Sequence, residues 1–411
     1  MRIAAVRVTP IAFADPPLLN SWGVHEPYAL RTIVELESEE GCIGLGEGHG
    51  ARSVAEAIEA AREELIGHDP WQFPRLRALV KNDSAYSILE TACLDLIGKT
   101  IGRRVCDLLG GAVREEVPYS AYLFYKFSNE VNPEVEFVDL SPGEVRTPEA
   151  LLEQAKAFVA RFGFRALKLK GGVLPPEEEI ETLQRLHDHF GEGYGLRIDP
   201  NAAWSVPTSI RVCHELERRQ LRVEYVEDPT EGRDGMAEVA RATRLPLATN
   251  MCVTRFEHIA DGFRKGSIRV LLIDHHGGWQ GLLACRQLAR VCEALGWQVS
   301  MHSNSHLGIS MAAMTHLGAA IPNLDWSCDT HYPWAKDDVI QKRLEFHEGR
   351  MRLPAGPGLG VELDRDRLEE LAETRRRYGR ERRDDAGEMR RFVPDWQPKR
   401  PPLVVFQGAF P

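Results

Sequence analysis

The sequence predicts an α/β protein with two parts, an α+β domain followed by a region of repeated βα units. The chain has 411 residues, 43% of them hydrophobic and 27% charged, which is typical of a globular protein with more than one domain. Near Thr147 the pattern changes from consecutive strands followed by helices to a regular alternation of strand and helix. A barrel and a doubly wound sheet both produce this alternation, so the pattern alone leaves the choice between them open.

The first part of the chain has the pattern of antiparallel strands followed by helices. Apolar and polar residues alternate in three segments separated by turn residues, which predicts half-buried strands at AAVRVTPIAFA, LRTIVELES and CIGLGEG. Apolar residues at helical spacing then predict helices from Ser53 to Leu65 and from Ser87 to Lys99. We therefore expect an α+β domain over roughly the first third of the chain.

Six candidate strands follow, separated by helical patterns, at RALKLK, GYGLRIDP, RVEYVEDP, PLATNM, RVLLIDHH and WQVSMHS. The helices between them begin near proline or acidic residues and carry apolar residues at helical spacing, as in LLEQAKAFVARF and EEIETLQRLHDHF. This density of units is close to that of a (β/α)8 barrel, which takes about 250 residues. The chain from Gly349 onward is first rich in glycine and proline and then highly charged, which indicates a surface helix and a returning segment.

Oxygen-bearing side chains end three consecutive candidate strands. Asp199 lies in RIDPN, Glu227 in YVEDP and Asn250 in ATNM, each about one βα unit from the next. Because neighbouring parallel strands end at the same rim, we expect these side chains to lie close together. A single acid at a strand end is better explained by capping of the next helix, but three in succession favour a metal site. Two carboxylates and an amide oxygen suit Mg²⁺, which also binds water and substrate.

Two further pairs of residues are expected at this rim. Lys168 and Lys170 alternate in one strand and therefore point to the same face. If that face is a barrel interior, each ammonium group lowers the pKa of the other, which would make an amine base. Asp274 and His302 end two neighbouring strands. A carboxylate that bonds to an imidazole fixes its tautomer and raises its basicity, as general acid–base catalysis requires.

Taken together, these residues resemble the enolase superfamily, and specifically its glucarate dehydratase-like members. The resemblance covers nearly the whole chain, through LLNSWGVHEP, ETACLDLIGK, YLFY, KLKGGVLPPEEEIE, RIDPNAAWS, YVEDP, LPLATNM, HSNSH, CDTH and PGLGVELD. It implies a (β/α)7β modified TIM barrel with an α+β capping domain. The implied boundaries are residues 1–145 for the cap, 146–345 for the catalytic barrel and 346–411 for a C-terminal segment that returns to the cap.

The resemblance also implies roles for individual residues. Mg²⁺ would be held by Asp199, Glu227 and Asn250. Lys170 matches the second lysine of the family's K-x-K base motif, Lys168 would help neutralise the metal-bound carboxylate, and His302 would be a second base paired with Asp274. The implied reaction removes the proton α to a carboxylate and eliminates the β-hydroxyl to give a keto-deoxy acid sugar. The substrate-binding residues would be His25, Tyr122, Asn201, Asn304, Asp329 and His331.

Composition excludes several other classes of protein. The net charge of −10 argues against general nucleic-acid binding, and the basic run TRRRYGRERR lies among acidic residues, as on a solvated helix face. The eight cysteines include no CxxC pair, so neither a zinc ribbon nor a disulfide framework is indicated. No apolar run reaches the length of a membrane span, and the N-terminal segment lacks the apolar core of a signal peptide. We expect a cytoplasmic homo-oligomer, such as a dimer, tetramer or octamer, that acts on a small acid sugar.

Two other functions remain compatible with these residues. With bases on opposite faces of the substrate, a racemase or epimerase of a hydroxy acid needs no departing hydroxyl, so exchange of the α proton without dehydration would favour it. A non-catalytic acid-sugar binding protein would bind tightly without any exchange. We prefer the dehydratase, with D-glucarate or a close stereoisomer as substrate.

Overall fold

The computed structural model describes residues 1–399, and its first part is a small antiparallel sheet with helices packed on it. The strands of this part are β1 Ile3–Ala14, β2 Leu19–Asn20, β3 Gly23–Val24, β4 Tyr28–Ser38 and β5 Ile43–His49. Its helices are α1 Arg52–Ala60, α2 Arg62–Leu65, α3 Phe73–Leu79, α4 Asp83–Ile101 and α5 Val105–Leu108. Strands β1, β4 and β5 form one sheet in that order, and β2 and β3 form a separate hairpin. The three predicted strands are confirmed.

Helix α4 lies directly on this sheet. It begins after Asn82, whose side chain accepts a hydrogen bond of 3.0 Å from the backbone N–H of Ala85. A Cβ atom on Gly44 or Gly46 of β5 would lie 2.2 Å from a backbone oxygen of α4, so these two glycines let the helix approach the strand closely. The other predicted helix is interrupted at Ala61 and forms α1 and α2.

The second part is a curled parallel sheet whose strands alternate with helices. The strands that follow α5 are β6 Glu116–Pro118, β7 Ala121–Phe124, β8 Ala166–Lys170, β9 Gly195–Asp199, β10 Val223–Glu227, β11 Leu247–Thr249, β12 Val270–Ile273, β13 Gln298–Met301, β14 Phe346–His347 and β15 Arg350–Arg352. The remaining helices are α6 Pro148–Phe162, α7 Pro176–Phe190, α8 Val206–Arg218, α9 Gly232–Ala242, α10 Phe256–Lys265, α11 Gly281–Leu295, α12 Gly308–Ala320, α13 Arg365–Tyr378 and α14 Asp385–Arg390. Strands β7 to β13 form one parallel sheet in chain order.

A short extended segment, residues 324–329, fills the space between the two ends of this sheet. Leu324 bridges Val299 of β13, and Cys328 bridges Tyr119 just before β7, both in parallel orientation. The backbone N–H of Asp329 donates to the carbonyl of Met301 at 2.9 Å, which extends the pairing to the rim. The (β/α)7β barrel with an α+β cap is therefore confirmed, because the barrel has seven regular strands and this segment in the eighth position.

The C-terminal helices lie against the first part of the chain. Helix α13 packs on β1, and α14 packs on the β3 end of the small hairpin. Strands β6, β15 and β14 form a further small antiparallel sheet that joins residues before and after the barrel. The expected domain boundaries stay predictions; β7, which lies before residue 145, pairs with β8 in the barrel sheet. None of the helices in residues 1–399 combines the length and the apolarity that crossing a membrane would require.

Candidate active site

The register of the barrel strands determines which side chains share the interior. In the β8–β9 pairing, Lys168 lies opposite Arg197 and Lys170 opposite Asp199, and β7 places Tyr122 beside Lys168. Lys168 is fully buried and Lys170 is 6% exposed, so the alternate lysines face the barrel interior. Their Nζ atoms lie 4.7 and 5.6 Å from the centroid of the Tyr122 ring, whose face favours nearby cations.

Lys168 is surrounded by carboxylates from other segments of the barrel. Its Nζ lies 2.6 Å from Glu227 Oε2, 2.6 Å from Asp329 Oδ2 and 3.6 Å from Asp199 Oδ2. Burial alone would lower the pKa of Lys168, but the carboxylates of Asp329 and Glu227 outweigh it and hold the pKa well above its usual value. The prediction of a lowered pKa is therefore wrong for Lys168, because its nearest charges are negative. Lys168 is a permanent positive charge in the site.

Two of the three predicted metal ligands have a buried oxygen that accepts no hydrogen bond from the described residues. Glu227 Oε1 and Asn250 Oδ1 are buried and have no hydrogen-bond partner among residues 1–399. Such atoms are costly to bury unless a ligand completes their coordination. The backbone N–H of Asn250 donates to Asp228 Oδ2 at 2.9 Å, which fixes the residue at the end of β11 beside the end of β10. With Asp199, these atoms form a set of two carboxylates and one amide oxygen, which fits Mg²⁺.

Asp199 is held in its ionised form by both lysines. Its Oδ2 accepts a hydrogen bond of 2.6 Å from Lys170 Nζ. Burial would raise the pKa of Asp199, but the charges of Lys170 and Lys168 outweigh it and lower the pKa to about 2. On the other side, the backbone N–H and the side-chain Nδ2 of Asn201 donate to Asp199 Oδ1 at 2.9 and 3.3 Å. Asn201, predicted to bind substrate, thus contacts a predicted metal ligand.

Asp274 and His302, which are predicted to act as an acid–base pair, lie together at the ends of β12 and β13. His302 Nδ1 lies 3.0 Å from Asp274 Oδ2. Burial would raise the pKa of Asp274, but hydrogen bonds from His276 and His302 outweigh it and hold the pKa well below its usual value. The carboxylate therefore stays ionised and orients the His302 ring. His276, which shares this carboxylate, was not predicted as a site residue.

Three predicted substrate-binding residues are also engaged in the protein itself. Tyr122 Oη donates to Asp199 Oδ2 at 3.4 Å. Asn304 Oδ1 accepts from Arg31 at 3.1 Å, and its Nδ2 lies 3.5 Å from Asp274 Oδ2. Asp329 is fully buried and accepts from Lys168, so it positions that lysine. Contact of these residues with a substrate stays a prediction.

The last two predicted substrate-binding residues, His25 and His331, share a buried carboxylate. His25 Nδ1 lies 3.1 Å from Asp15 Oδ2, and His331 Nε2 lies 3.2 Å from Asp15 Oδ1. Arg383 NH1, from the segment between α13 and α14, donates to Asp15 Oδ2 at 2.9 Å. Burial would raise the pKa of Asp15, but His25 and Arg383 outweigh it and hold the pKa well below its usual value.

Arg383 also has a donor that remains available. Its NH2 atom is buried and has no hydrogen-bond partner in the described part of the chain. Sequence reasoning missed both Arg383 and Asp15, and it treated the run that contains Arg383 as solvated. No local pattern distinguishes Arg383 from the arginines before it, because its partner Asp15 lies at the other end of the chain.

Comparison with known proteins gives a consistent result. Residues 150–367 match the family model described as enolase C-terminal domain-like, and residues 5–110 match that of the mandelate racemase / muconate lactonizing enzyme N-terminal domain. A probable glucarate dehydratase of Streptomyces coelicolor is 45% identical, over 96% of this chain and 97% of its own length.

Solved structures agree with this match. An enolase from Thermobispora bispora, complexed with magnesium and formate, has a TM-score of 0.92 and 47% identity over 97% of this chain and 99% of its own. An enolase from Pseudomonas fluorescens, with bound magnesium, potassium and tartrate, has a TM-score of 0.92 and 43% identity over 96% of this chain and 98% of its own.

Proposed function

The chain belongs to the enolase superfamily, among its glucarate dehydratase-like members, and we propose that it is a Mg²⁺-dependent dehydratase of an acid sugar. One observation carries the proposal. The unpartnered oxygens of Glu227 and Asn250 lie in the same barrel as two separate proton-transfer groups, Lys170 and the Asp274–His302 pair. The strand order places Lys170 on β8 and His302 after β13, so the two groups approach a substrate from different sides of the barrel.

These groups suit removal of a proton next to a carboxylate. Mg²⁺, when bound to Asp199, Glu227 and Asn250, supplies positive charge that stabilises the negative charge developing on the substrate carboxylate. Lys168 adds a fixed positive charge beside Glu227, at 2.6 Å. Lys170 or His302 takes the α proton, and the electron pair of the broken C–H bond is delocalised into the neighbouring substrate carboxylate.

The β-hydroxyl then leaves as water. Its C–O bond breaks as a double bond forms between the α and β carbons, and His302 gives it the proton that it needs. Because the α carbon carries a hydroxyl group, the product is an enol, which becomes a 2-keto-3-deoxy acid by moving one proton. Asp274 keeps the His302 ring oriented through both transfers, since it remains ionised.

The buried cluster around Asp15 supports a substrate with a second acidic group. The unpartnered NH2 of Arg383 offers a charge-assisted hydrogen bond, and His25 and His331 lie beside it on Asp15. A hexaric acid has a carboxylate at each end, so one end suits the metal site and the other suits Arg383. We therefore propose D-glucarate or a close stereoisomer as the substrate.

Proton NMR in D₂O with Mg²⁺ tests the reaction directly, using a panel of D-glucarate, L-idarate and galactarate. Formation of a keto-deoxy product from one of them is the expected result and identifies the substrate. Exchange or inversion at the α carbon without loss of water would instead establish a racemase or epimerase. Binding of an acid sugar without exchange or product would establish a binding protein and refute the enzyme.

Base variants show whether the observed activity uses this site. Lys170→Met and His302→Gln should each abolish product formation while Mg²⁺ affinity stays close to that of the unchanged protein. Lys156→Met, which removes a lysine on the outer helix α6 that pairs with Glu153, is the control and should retain activity. Full turnover in both base variants would refute the assignment.

A further inference from the structure

Asp274 is shared by two imidazoles, of which the proposed mechanism uses one. His302 Nδ1 lies 3.0 Å from Oδ2, and His276 Nδ1 lies 3.0 Å from Oδ1. The backbone N–H of His276 also donates to Oδ1, at 2.9 Å. A carboxylate that orients a base usually needs only one such contact, so the second histidine requires its own explanation.

The Nε2 edge of the His276 ring is connected to the cap through the hydroxyl of Ser310. His276 Nε2 lies 2.8 Å from the hydroxyl of Ser310 at the start of α12. Arg31 of β4 donates to the same hydroxyl at 3.0 Å and to Glu47 of β5 at 2.9 Å. The Ser310 hydroxyl also lies 3.1 Å from the backbone carbonyl of Glu47.

Counting donors determines the tautomer of His276. The Ser310 hydroxyl has one proton, and Arg31 already occupies one of its lone pairs. If Ser310 gave its proton to Glu47, His276 Nε2 would have to be protonated. Nδ1 would then either face Asp274 as a second acceptor, which is repulsive, or carry a second proton on a buried ring. Ser310 therefore donates to Nε2, and Nδ1–H donates to Asp274.

The surroundings of His276 keep it in this neutral form. Burial holds the pKa of His276 well below its usual value, and His275 and Arg31 add to this, while Asp274 opposes it. The other titratable rings packed around it are His306, with ring centroids 4.7 Å apart, and His49, 5.9 Å apart. Burial also lowers the pKa of His275 and His49, each to about 4, so these neighbours are uncharged at neutral pH.

From this geometry we propose that His276 is a positioning residue that limits how strongly Asp274 holds the proton on His302. Because Oδ1 accepts two hydrogen bonds from His276, less negative charge is available on Oδ2 for the His302 ring. His302 can then release a proton to the departing hydroxyl more readily than it could beside a less satisfied carboxylate. This role rests on the proposed function, in which His302 is both base and acid.

Two substitutions of His276, to leucine and to asparagine, distinguish loss of the side-chain hydrogen bond to Asp274 from loss of the imidazole ring. Leucine and asparagine are similar in size and shape, and both variants keep the backbone N–H that donates to Asp274 Oδ1, but only asparagine offers a side-chain N–H in place of His276 Nδ1–H. In His276→Leu, the midpoint of the His302 titration should rise by about 0.5 to 1 pH unit, and the matching limb of the pH–rate profile should rise with it. In His276→Asn, both should return most of the way to the values of the unchanged protein.

The control is His275→Gln, which changes the neighbouring ring in the same stack. The two ring centroids are 3.8 Å apart, but His275 makes no hydrogen bond to Asp274 within residues 1–399. We expect a smaller shift of the His302 midpoint than in His276→Leu. Thermal unfolding of all three variants with Mg²⁺ present shows whether each one is folded.

NMR of the intact protein with ¹⁵N-labelled histidine provides the decisive readout without any substrate. The His276 ring should show a protonated Nδ1 and an unprotonated Nε2, and the His302 titration should follow the pattern given above. A protonated Nε2 on His276, or equal His302 midpoints in the Leu and Asn variants, would overturn the inference. Because these measurements need no turnover, failure of the dehydratase proposal would appear separately, as the absence of product in the substrate panel.

Discussion

Replacing Arg383 by glutamine should raise the KM for a diacid substrate far more than it lowers kcat. Arg383 uses NH1 to hold Asp15, while NH2 is buried without a hydrogen-bond partner among the described residues. If NH2 donates to the distal carboxylate of the substrate, its loss removes a charge-assisted hydrogen bond of about 1.5 to 3 kcal/mol. This free energy corresponds to a KM increase of about 10- to 150-fold.

The same substitution should make the defect depend on pH. Burial and the charge of Arg383 hold the pKa of His25 below its usual value of 6.5, whereas Asp15 opposes them. Without Arg383, the pKa of His25 rises, and a protonated His25 replaces part of the lost positive charge. The ratio of variant to unchanged KM should therefore be smaller at about pH 6 than at about pH 8.

Initial rates with Mg²⁺ on the diacid and on an aldonic acid that lacks the distal carboxylate test this reasoning. Arg382→Gln is the matched control, because Arg382 is the preceding residue and is exposed. We expect the KM effect only for Arg383→Gln and only with the diacid. An unchanged KM for the diacid, or an equal rise for both acids, would refute the assignment of Arg383 to the distal carboxylate.

Three other outcomes can be measured independently of the substrate. Glu227→Gln should lower Mg²⁺ affinity in calorimetry by a factor of about ten or more, and an unchanged affinity would place the metal elsewhere. Burial raises the pKa of Glu90 from 4.5 to about 8. Between these two values the folded state binds a proton that the unfolded state has released, so the unfolding free energy falls as the pH rises towards 8. Between about pH 6 and pH 8, the unfolding free energy should therefore fall by about 2 kcal/mol more in the unchanged protein than in Glu90→Gln; parallel profiles would contradict this. Light scattering should show an even-numbered homo-oligomer, and a monomer at assay concentrations would contradict that expectation.

The sequence was sufficient to predict that Asp199 and Glu227 lie at one rim, because their positions follow from the chain's repeat. Asp199 and Glu227 end consecutive parallel strands, and neighbouring strands of that kind must end at one rim. The two ends of the sheet were harder to predict. Strand β7 has only four residues and comes before the regular alternation begins, and residues 324–329 pair through isolated bridges rather than a regular ladder. Neither segment has a periodic pattern long enough to predict a strand.

The protonation of Lys168 shows a second limit of sequence reasoning. The nearest charge along the chain is Lys170, and the sequence therefore suggested mutual repulsion. In the structure, the nearest groups to Lys168 are Glu227 and Asp329, which come from elsewhere in the barrel. A pKa depends on distance in space, and the strand alternation fixes only the direction in which a side chain points. The pattern could predict that both lysines face inward, but not which charges they meet there.

The C-terminal arginines also show that sequence reasoning cannot tell which charges meet in space. Helix α13 ends at Tyr378, and Arg376 and Arg377 are exposed, as expected of a solvated helix. Arg383 lies beyond that helix, where the chain turns inward to Asp15. A buried carboxylate such as Asp15 is costly without a positive charge nearby, and an arginine supplies that charge at every working pH. The requirement for Arg383 is therefore set by Asp15, so it becomes visible only once the fold has brought the two ends of the chain together.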